Sequence, residues 1–246
     1  MAKQPFSFRL LTYNIHKGIG GVDRRYRPER IIETIKHCEP EIVFLQEVDD
    51  GVPRSRRDRQ VDLLGDALGF KYRAFQQNVK LRQGHYGNAI LSRYPLYDVQ
   101  DLDLTISLKK RRRAIACHCR VTQNGHTRQL VLINTHLGLA RFERNIQIRR
   151  ILDCEFLEHT RPDSPIILGG DFNDAWRRLG RSHLNPNGYQ SATRVAKTFP
   201  AAFPVSALDY IYYRGDLELD HSFASHTKIA KQASDHLPLV AQFDMY

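Results

Sequence analysis

Several features that mark other classes of protein are missing from this 246-residue sequence. No apolar run reaches about 18 residues, so we expect no membrane-spanning helix. Residues 1–9 lack the apolar stretch of a signal peptide, and we therefore expect a cytoplasmic protein. Only four cysteines occur, and Cys117 and Cys119 share one face of a strand-like segment, which indicates buried thiols rather than a disulfide or a metal site. Repeats, linkers and low-complexity tracts are absent, which predicts a single domain over residues 1–246.

Acidic residues are in the minority, because 27 Asp and Glu stand against 37 Lys and Arg and give a net charge of +10. A basic balance favours anionic partners such as nucleic acid, phosphorylated small molecules or a lipid surface. Two basic clusters contribute to it, Arg54–Arg59 and Lys109–Arg113, and each is explained equally well as a solvated loop. The charge by itself therefore does not select one of these partners.

The segment Ser164–Asp174 is the most informative part of the sequence. Its apolar residues, Ile166–Leu168, are bounded by proline and glycine, a pattern typical of a buried strand. Asp171 and Asn173 then follow at the end of that strand. Asp, Asn and Gly also favour ordinary turns, so the segment alone supports a turn and a functional site equally.

The other segments predict mixed α/β structure. Helical periodicity with Pro28 at the start and Gly69 at an end predicts helices over Pro28–Cys38, Gln60–Leu68 and Arg141–His159. The Asn124-Gly125 pair predicts a hairpin. The predicted strands are Phe8–Ile15, Glu41–Val48, Lys71–Val79, Asn88–Ser92, Arg113–Thr122, Arg128–Leu137, Ile166–Leu168, Leu208–Tyr213, Leu217–Ser225 and Leu237–Phe243.

Polar residues that can bind ions or move protons lie at the ends of these predicted strands. In sheets with antiparallel pairs, the end of one strand and the start of its neighbour share an edge, so we expect these side chains to converge on one pole. The residues at strand ends are Asn14, Glu47, His136, Asp171 and Asn173, and those at strand starts are Asp209, Asp235 and His236.

The residue types expected at this pole suit one kind of chemistry. Four carboxylates would repel one another unless a cation neutralised them, and oxygen-rich sites select Mg²⁺, Mn²⁺ or Ca²⁺ rather than zinc. Two histidines add groups that titrate near neutral pH. A hard cation, a base and an amide donor together suit the hydrolysis of a phosphate ester. Each residue also has a structural explanation when taken singly, but that explanation does not account for their shared position at strand ends.

Seven segments match a known pattern in the same order along the chain. By these segments the sequence resembles the endonuclease/exonuclease/phosphatase superfamily, which includes DNase I, sphingomyelinases, inositol-polyphosphate 5-phosphatases and AP endonucleases. The resemblance covers Leu11–Phe243, nearly the whole chain. The matching segments are Tyr13–Ile15, Leu45–Val48, Tyr86–Ser92, Asn134–Leu137, Gly170–Asn173, Leu208–Ile211 and Ser234–Pro238.

The resemblance implies an α+β fold, a four-layer α/β/β/α sandwich in which two mostly antiparallel sheets pack together with helices outside. It also implies a divalent cation, Mg²⁺ or Mn²⁺, held by Glu47 with Asn14 and Asp235 close by. His236 is then the catalytic histidine, and Asp209 orients it.

The resemblance also implies roles at the phosphate. Asp171 and Asn173 position or activate the attacking water and bind the phosphoryl group, while His136 is a second phosphate contact or an acid. Either His236 or Asp171 is the base. Further substrate contacts are expected from Tyr86, Asn88, Arg25 and Arg113. Because a guanidinium fork matches phosphate oxygens, we also expect Arg24, Arg25, Arg112 and Arg113 to grip a flanking phosphate.

Two expectations concern the backbone around this site. We expect Gly169 and Gly170 to let a phosphate and its metal approach the chain beside Asp171, since glycine has no side chain to obstruct them. We expect substrate specificity to lie in four charged loops, Gly18–Arg27, Gly51–Arg59, Ser107–Arg113 and Ala175–Val205.

Departures from individual branches of the superfamily bear on the substrate. His136 stands where the AP-endonuclease branch usually has Tyr, and Asn88 after Tyr86-Gly87 is similar to sphingomyelinase-like and general bacterial hydrolases. We expect a phosphodiesterase acting on an anionic phosphate ester, with nucleic acid and a peripheral membrane lipid both open as substrates. The alternatives are a phosphomonoesterase for a phosphorylated metabolite or inositol phosphate, and a non-catalytic nucleic-acid-binding module. The oligomeric state is not predicted.

Overall fold

The computed structural model describes residues 5–161, 163–193 and 196–246, and these residues form twelve strands in two sheets. Residues 1–4 of the amino-terminal segment and residues 194–195 of the predicted specificity loop lie outside the described residues. The strands are β1 (Phe6–Asn14), β2 (Ile42–Asp50), β3 (Tyr72–Lys80), β4 (His85–Ser92), β5 (Leu96–Asp103), β6 (Arg113–Gln123), β7 (His126–His136), β8 (Ile166–Asp171), β9 (Gln190–Ser191), β10 (Asp209–Arg214), β11 (Leu217–Ala224) and β12 (Leu239–Met245).

Each sheet has six strands and is of mixed direction. The first has the order β11–β12–β1–β2–β4–β3, and the second has the order β5–β6–β7–β8–β10–β9. The pairs β1–β2 and β7–β8 are parallel, and the other described neighbours are antiparallel. The predicted sandwich of two mostly antiparallel sheets with helices outside is therefore confirmed.

The apolar runs of the inner strands are explained by burial on both faces of each sheet. Successive residues of a strand point to opposite faces, so Leu10 packs between the two sheets while Leu11 packs against the outer helices. The same alternation in β2 sends Phe44 into the space between the sheets and Leu45 toward the helices. Continuous apolar sequence at these positions is what a strand covered on both sides requires.

The helices cover the outer face of each sheet. The predicted helices α1 (Pro28–Cys38) and α2 (Gln60–Leu68) are confirmed, and a short α5 (Lys228–Ala233) was not predicted. The predicted helix Arg141–His159 is wrong in length, because it is divided into α3 (Arg141–Leu152) and α4 (Glu155–Glu158). No helix among the described residues is long and apolar enough to cross a membrane.

The division between α3 and α4 has a packing explanation. Cys154 is extended, with φ −80° and ψ 145°, and it precedes Phe156 and Leu157, which are both buried. In one continuous helix, Leu157 would lie about 140° around the axis from Leu152, away from the apolar face. The break therefore rotates the chain so that both side chains reach the core. The edge strand β5 was also missed, because most of its residues are exposed and polar.

The glycines before Asp171 serve packing rather than access to a ligand, so the expectation for them was wrong. A Cβ at Gly169 would lie 3.0 Å from Phe44 Cδ2 of the facing sheet. Gly170 has a φ of +137°, and a Cβ there would overlap the backbone carbonyl of Thr135 in the neighbouring strand. Both glycines thus allow close approach of protein to protein.

Gly170→Ala is expected to destabilise the fold by about 3–5 kcal/mol, because the methyl group would overlap backbone and force an unfavourable φ. Chemical denaturation followed by circular dichroism measures this loss. Gly125→Ala is the matched control, since Gly125 also has positive φ (+77°) but has no atom within 4 Å of the added Cβ, and about 1–2 kcal/mol is expected. Equal losses for the two variants would contradict the steric explanation.

Candidate active site

The side chains at the strand ends meet at one pole of the two sheets. In the second sheet, β10 places Asp209 directly opposite Asp171, and β7 places His136 opposite the other side of Asp171. In the first sheet, β1 ends at Asn14, whose Nδ2 donates to Asp171 Oδ2 at 3.0 Å. This hydrogen bond joins the two sheets at the pole, so the strand-end residues of both sheets form one cluster around Asp171.

The two sheets are also tied together by buried amides just below the cluster. Gln46 Nε2 donates to Asn134 Oδ1 at 2.8 Å, and Asn134 Nδ2 donates to the carbonyl oxygens of Leu45 and Ala89 at 3.0 and 2.8 Å. Both amide side chains are fully buried. Hydrogen bonds between buried groups hold their partners in one geometry, so these bonds fix the spacing of the sheets under the site, while Gln46 Oε1 has no partner among the described residues.

His236 lies between two carboxylates. Its Nδ1 is 2.8 Å from Asp209 Oδ2, an oxygen that also accepts a 2.5 Å hydrogen bond from the hydroxyl of Thr198. Its Nε2 is 3.8 Å from Asp171 Oδ2. The first contact holds the imidazole ring in place, and the second turns the other ring nitrogen toward the centre of the cluster.

The pKa values of this pair are shifted by burial and by mutual attraction. Burial alone would lower the pKa of His236, but the charges of Asp209 and Asp171 outweigh it and raise the pKa to about 10. Burial raises the pKa of Asp171 to about 6, although the imidazolium of His236 opposes this shift. At neutral pH, His236 therefore carries a proton, and Asp171 is ionised but more basic than an ordinary Asp.

His136 and Asn173 contact Asp171 from the other side. His136 Nε2 lies 3.5 Å from Asp171 Oδ2, and its Nδ1 has no partner among the described residues. Burial, followed by the charge of Arg112, holds the pKa of His136 well below its usual range, so the ring is neutral. Asn173 donates its backbone N–H to Asp171 Oδ1 at 3.0 Å, and its side chain donates to the carbonyl oxygen of Leu137 at 3.0 Å.

Glu47 reaches the site through an irregularity in its strand. The pairing of β2 with β4 shifts register between Leu45 and Val48, and Glu47 has a φ of 58°. A bulge of this kind redirects a side chain that regular alternation would send elsewhere. The Glu47 carboxylate forms an ion pair with the ammonium of Lys17. Burial would raise the pKa of Glu47, but the ion pair with Lys17 opposes it and holds the carboxyl ionised.

The residues expected to hold a divalent cation lie on the side of β1 and β2. Asn14 Oδ1 accepts the backbone N–H of His16 at 3.1 Å, and His16 Nδ1 is 3.9 Å from Asp235 Oδ1. Glu47 is joined to the same turn through its ion pair with Lys17. The donors of Glu47, Asn14 and Asp235 are all oxygens, which is the ligand type that hard cations prefer, so the chemistry of this set fits Mg²⁺ or Mn²⁺.

A second group, Asp171, Asp209 and His236, has ligand atoms within 4.8 Å of one another. A metal ion binds only the deprotonated form of histidine. His236 keeps its proton between two carboxylates and already supplies the positive charge that they need. This geometry suits proton transfer better than metal coordination.

The residues predicted to bind substrate differ in how deeply they are buried and in which groups they contact. Tyr86 is buried beside Glu47, whose charge together with burial raises the pKa of the phenol well above its usual range. Asn88 is fully buried and donates to the carbonyl oxygen of Arg113 at 3.0 Å. The exposed Arg25 belongs to the loop in which Gly21 packs against Asp235, at the edge of the pole.

Arg113 is not brought into the cluster. Its guanidinium forms an ion pair with Asp101 and lines a separate groove with Gln76 and His85. Arg112, the preceding residue, is buried and acts electrostatically on His136 and Tyr86. Adjacent residues at the start of a strand point to opposite sides, which explains why only one of the two arginines faces the site.

Lys17 and Thr198 were not predicted as site residues. Lys17 follows Asn14 by three positions at the start of a glycine-rich loop, and that position near a predicted strand end was the one signal available. Thr198 lies in an irregular segment eleven positions before Asp209, and nothing in its sequence context distinguishes it. Its contact depends on how the segment folds back over β10.

The order of these side chains along the chain agrees with a known family. The model of the Endonuclease/Exonuclease/phosphatase family matches residues 11–236. The chain belongs to this family. The match includes every strand-end residue of the cluster from Asn14 to His236.

Relatives of this family member come from several bacteria. An uncharacterized Escherichia coli protein, YbhP, is 28% identical over 255 residues, which cover 98% of both chains. An endonuclease/exonuclease/phosphatase from Beutenbergia cavernae superimposes with a TM-score of 0.80 at 21% identity, over 99% of this chain and 72% of that one. A Bacteroides thetaiotaomicron mannosyl-6-phosphatase gives a TM-score of 0.75 at 15% identity, over 96% and 99%. The two structural likenesses show a shared fold.

Proposed function

We propose that the protein is a divalent-metal-dependent hydrolase of phosphate esters that acts on a phosphodiester. The observation that carries the proposal is the position of Asp171, a buried carboxylate of raised pKa, beside the His236–Asp209 pair. Membership of the family supports phosphoester hydrolysis, and the structurally similar mannosyl-6-phosphatase is named for such an activity. The net charge of +10 favours an anionic substrate.

The two candidate bases differ in protonation, and this assigns their roles. His236 is already protonated at neutral pH and cannot accept a proton from water. Asp171 is ionised and more basic than an ordinary Asp, so it takes the proton as the water oxygen attacks phosphorus. The bond from phosphorus to the leaving oxygen then breaks, and that oxygen leaves with the electron pair and takes a proton from solvent.

The role of His236 follows from its distance to Asp171. An attacking oxygen and a leaving oxygen stand on opposite sides of phosphorus. Nε2 of His236 and Oδ2 of Asp171 are only 3.8 Å apart, so they lie on the same side of the reacting atom. His236 therefore donates Nε2–H to a non-bridging phosphoryl oxygen, where negative charge grows during attack. Asp209 keeps the ring aligned and protonated.

Glu47, Asn14 and Asp235 would hold the divalent cation. When bound, the ion supplies charge that stabilises the phosphoryl oxygens. Asn14 serves both halves of the site, because its Oδ1 accepts the backbone N–H of His16 while its Nδ2 fixes Asp171. His136, which is neutral, lies with Nε2 3.5 Å from Asp171 Oδ2 and helps to hold Asp171 in position.

Removal of divalent cations with EDTA is expected to abolish hydrolysis, and Mg²⁺ or Mn²⁺ is expected to restore it. Glu47→Gln is expected to raise the metal concentration for half-maximal activity at least about tenfold, since the amide carries no charge. Glu41→Gln is the matched control, because Glu41 lies close in sequence but accepts a hydrogen bond from the backbone of Arg9. Full activity in EDTA would contradict the metal requirement.

The substrate class is tested by a panel assayed with Mg²⁺ and with Mn²⁺. Bis(p-nitrophenyl) phosphate and p-nitrophenyl phosphate separate a diesterase from a monoesterase, which is the alternative function. Plasmid DNA, RNA, sphingomyelin vesicles and inositol phosphates identify the natural class. A higher kcat/KM for the monoester than for every diester would replace the proposed phosphodiesterase with the phosphomonoesterase.

A further inference from the structure

Four cationic side chains gather around Tyr86, on the Glu47 side of the candidate active site. The Nζ atoms of Lys17 and Lys110 lie 5.6 and 5.4 Å from the centre of the Tyr86 ring, and the guanidinium carbon of Arg54 lies 5.6 Å from it. Arg112 is the fourth; only 5% of its surface is exposed, and its charge acts on Tyr86. These residues are called the cationic cluster, and they are Lys17, Arg54, Lys110 and Arg112.

The protein neutralises only half of this charge. Lys17 forms its ion pair with Glu47, and Arg54 forms a two-pronged ion pair with Asp49 at 2.6 and 2.8 Å. Lys110 and Arg112 have no ion pair in the part of the chain that the structure describes. Two positive charges that act on each other therefore have no direct ion pair among the described residues, and Glu47, which attracts Lys110, is already paired with Lys17.

Arg112 shows where the missing acceptor belongs. Its Nε and Nη1 atoms are buried and have no hydrogen-bond partner among the described residues. A buried cation with unused donors is costly, and a guanidinium fork matches the oxygens of a phosphate. Partial burial and then the charge of Arg112 lower the pKa of Lys110, and Glu47 offsets them only in part, so the two cations repel each other. An anion bound between them would satisfy the donors and relieve the repulsion.

The cluster is continuous with the reacting centre but distinct from it. Arg112 lies close enough to His136 to lower its pKa, and His136 in turn contacts Asp171 at 3.5 Å. Asp171 and His236 belong to the half of the site where the scissile phosphate is expected. An anion at Arg112 and Lys110 would therefore sit beside that phosphate, across His136.

We propose that the cationic cluster binds a second phosphate of the substrate, one that is not hydrolysed. This inference rests on the proposed function, because it takes the scissile phosphate to lie at Asp171 and His236. The substrate class is then a phosphate ester that carries another phosphate on the same small backbone. Both a nucleotide and a phosphorylated polyol present that chemistry.

Isothermal titration calorimetry in EDTA tests the cluster, since no metal can bridge ligand and protein. Two pairs of ligands distinguish a nucleotide from a phosphorylated polyol. The first compares thymidine 3′,5′-bisphosphate with thymidine 5′-monophosphate, and the second compares inositol 1,4-bisphosphate with inositol 1-phosphate. The bisphosphate of at least one pair is expected to bind about tenfold or more tightly than its monophosphate. Equal affinities within both pairs would overturn the proposal.

Variants locate the second phosphate. Arg112→Gln and Lys110→Gln are each expected to reduce the ratio of bisphosphate to monophosphate affinity toward one. Lys110 is exposed at the mouth of the cluster, so its variant serves if Arg112→Gln fails to fold. Arg111→Gln is the matched control, because Arg111 is the exposed residue between them and its variant should keep the wild-type ratio. An equal fall for all three variants would show non-specific attraction and overturn the site.

A separate measurement keeps this proposal apart from the proposed function. Hydrolysis of bis(p-nitrophenyl) phosphate by the wild-type protein with Mg²⁺ tests the reaction, and this substrate has no second phosphate. No hydrolysis, together with selective binding of a bisphosphate that depends on Arg112, would refute the reaction and keep the anion site. Hydrolysis without any preference for a bisphosphate would support the reaction and refute the anion site.

Discussion

Replacing Asp171 with Asn is expected to lower kcat for a chromogenic phosphodiester by about 10³-fold, a loss typical of a missing general base. The amide has the size of the carboxylate, but its one oxygen can replace only one of the two acceptors, Oδ1 for the backbone N–H of Asn173 or Oδ2 for the Nδ2–H of Asn14. It cannot take a proton from water. The circular dichroism spectrum is expected to match that of the wild type, and the loss of one buried hydrogen bond is expected to lower the melting temperature by only a few degrees.

Asp174→Asn is the control for the loss of a carboxylate in the same loop. Asp174 is also buried, but its Oδ2 accepts the backbone N–H of Leu179 at 2.7 Å, a contact that an amide oxygen can replace. Its variant is expected to keep most of the activity. If Asp171→Asn retained a kcat near that of wild type, Asp171 would not be the base, and the assignment of roles would have to be exchanged with His236.

Replacing His236 with Gln is expected to lower kcat by about 10²–10⁴-fold, since the charged donor to the phosphoryl oxygen is lost. The acidic limb of the pH–rate profile should also move to higher pH. That limb reports ionisation of Asp171, and the imidazolium of His236 opposes the burial that raises this pKa. Without the imidazolium, Asp171 must lose its proton at a higher pH. The profile of kcat/KM measures the shift.

Asp209→Asn is expected to act on the opposite limb of the same profile. In the wild type, burial lowers the pKa of His236, and Asp209 and Asp171 more than reverse this. Removing the charge of Asp209 leaves burial less opposed, so His236 loses its proton at lower pH and the alkaline limb moves down by about one unit or more. His226→Gln is the control, because His226 is exposed and its variant should leave both limbs in place. Unmoved limbs in Asp209→Asn would exclude a positioning role for Asp209.

Much of the candidate site could be predicted because strand ends are visible in the sequence. A buried strand shows as an apolar run, and the polar residue that ends the run must lie at an edge of the sheet. Asn14, His136 and Asp171 were placed correctly at one pole on that basis. The hairpin could also be predicted from local sequence, since Asn124 and Gly125 both adopt the positive φ that its tight turn requires.

Contacts that depend on register or on a bulge could not be predicted in this way. The order of residues along the chain does not predict that Asp209 faces Asp171. It also does not predict that Glu47 turns at a bulge toward Lys17, or that Thr198 reaches Asp209. Each of these contacts joins residues whose relation is set by the packing of distant segments. The crowding at Gly170 is also set by a distant segment, because the backbone of the neighbouring strand occupies the space that a side chain would need.

The sequence alone was sufficient for the strand-end cluster and for the kind of chemistry that its residue types suit, because side-chain chemistry and apolar periodicity are local properties. The tertiary structure decided which neighbours each group has, and those neighbours set its charge. It made His236 a cation between two carboxylates, turned Arg112 rather than Arg113 inward, and gave Arg112 and Lys110 no ion pair within residues 5–161, 163–193 and 196–246. Protonation and unmet charge depend on burial and distance, and these exist only once the chain has folded.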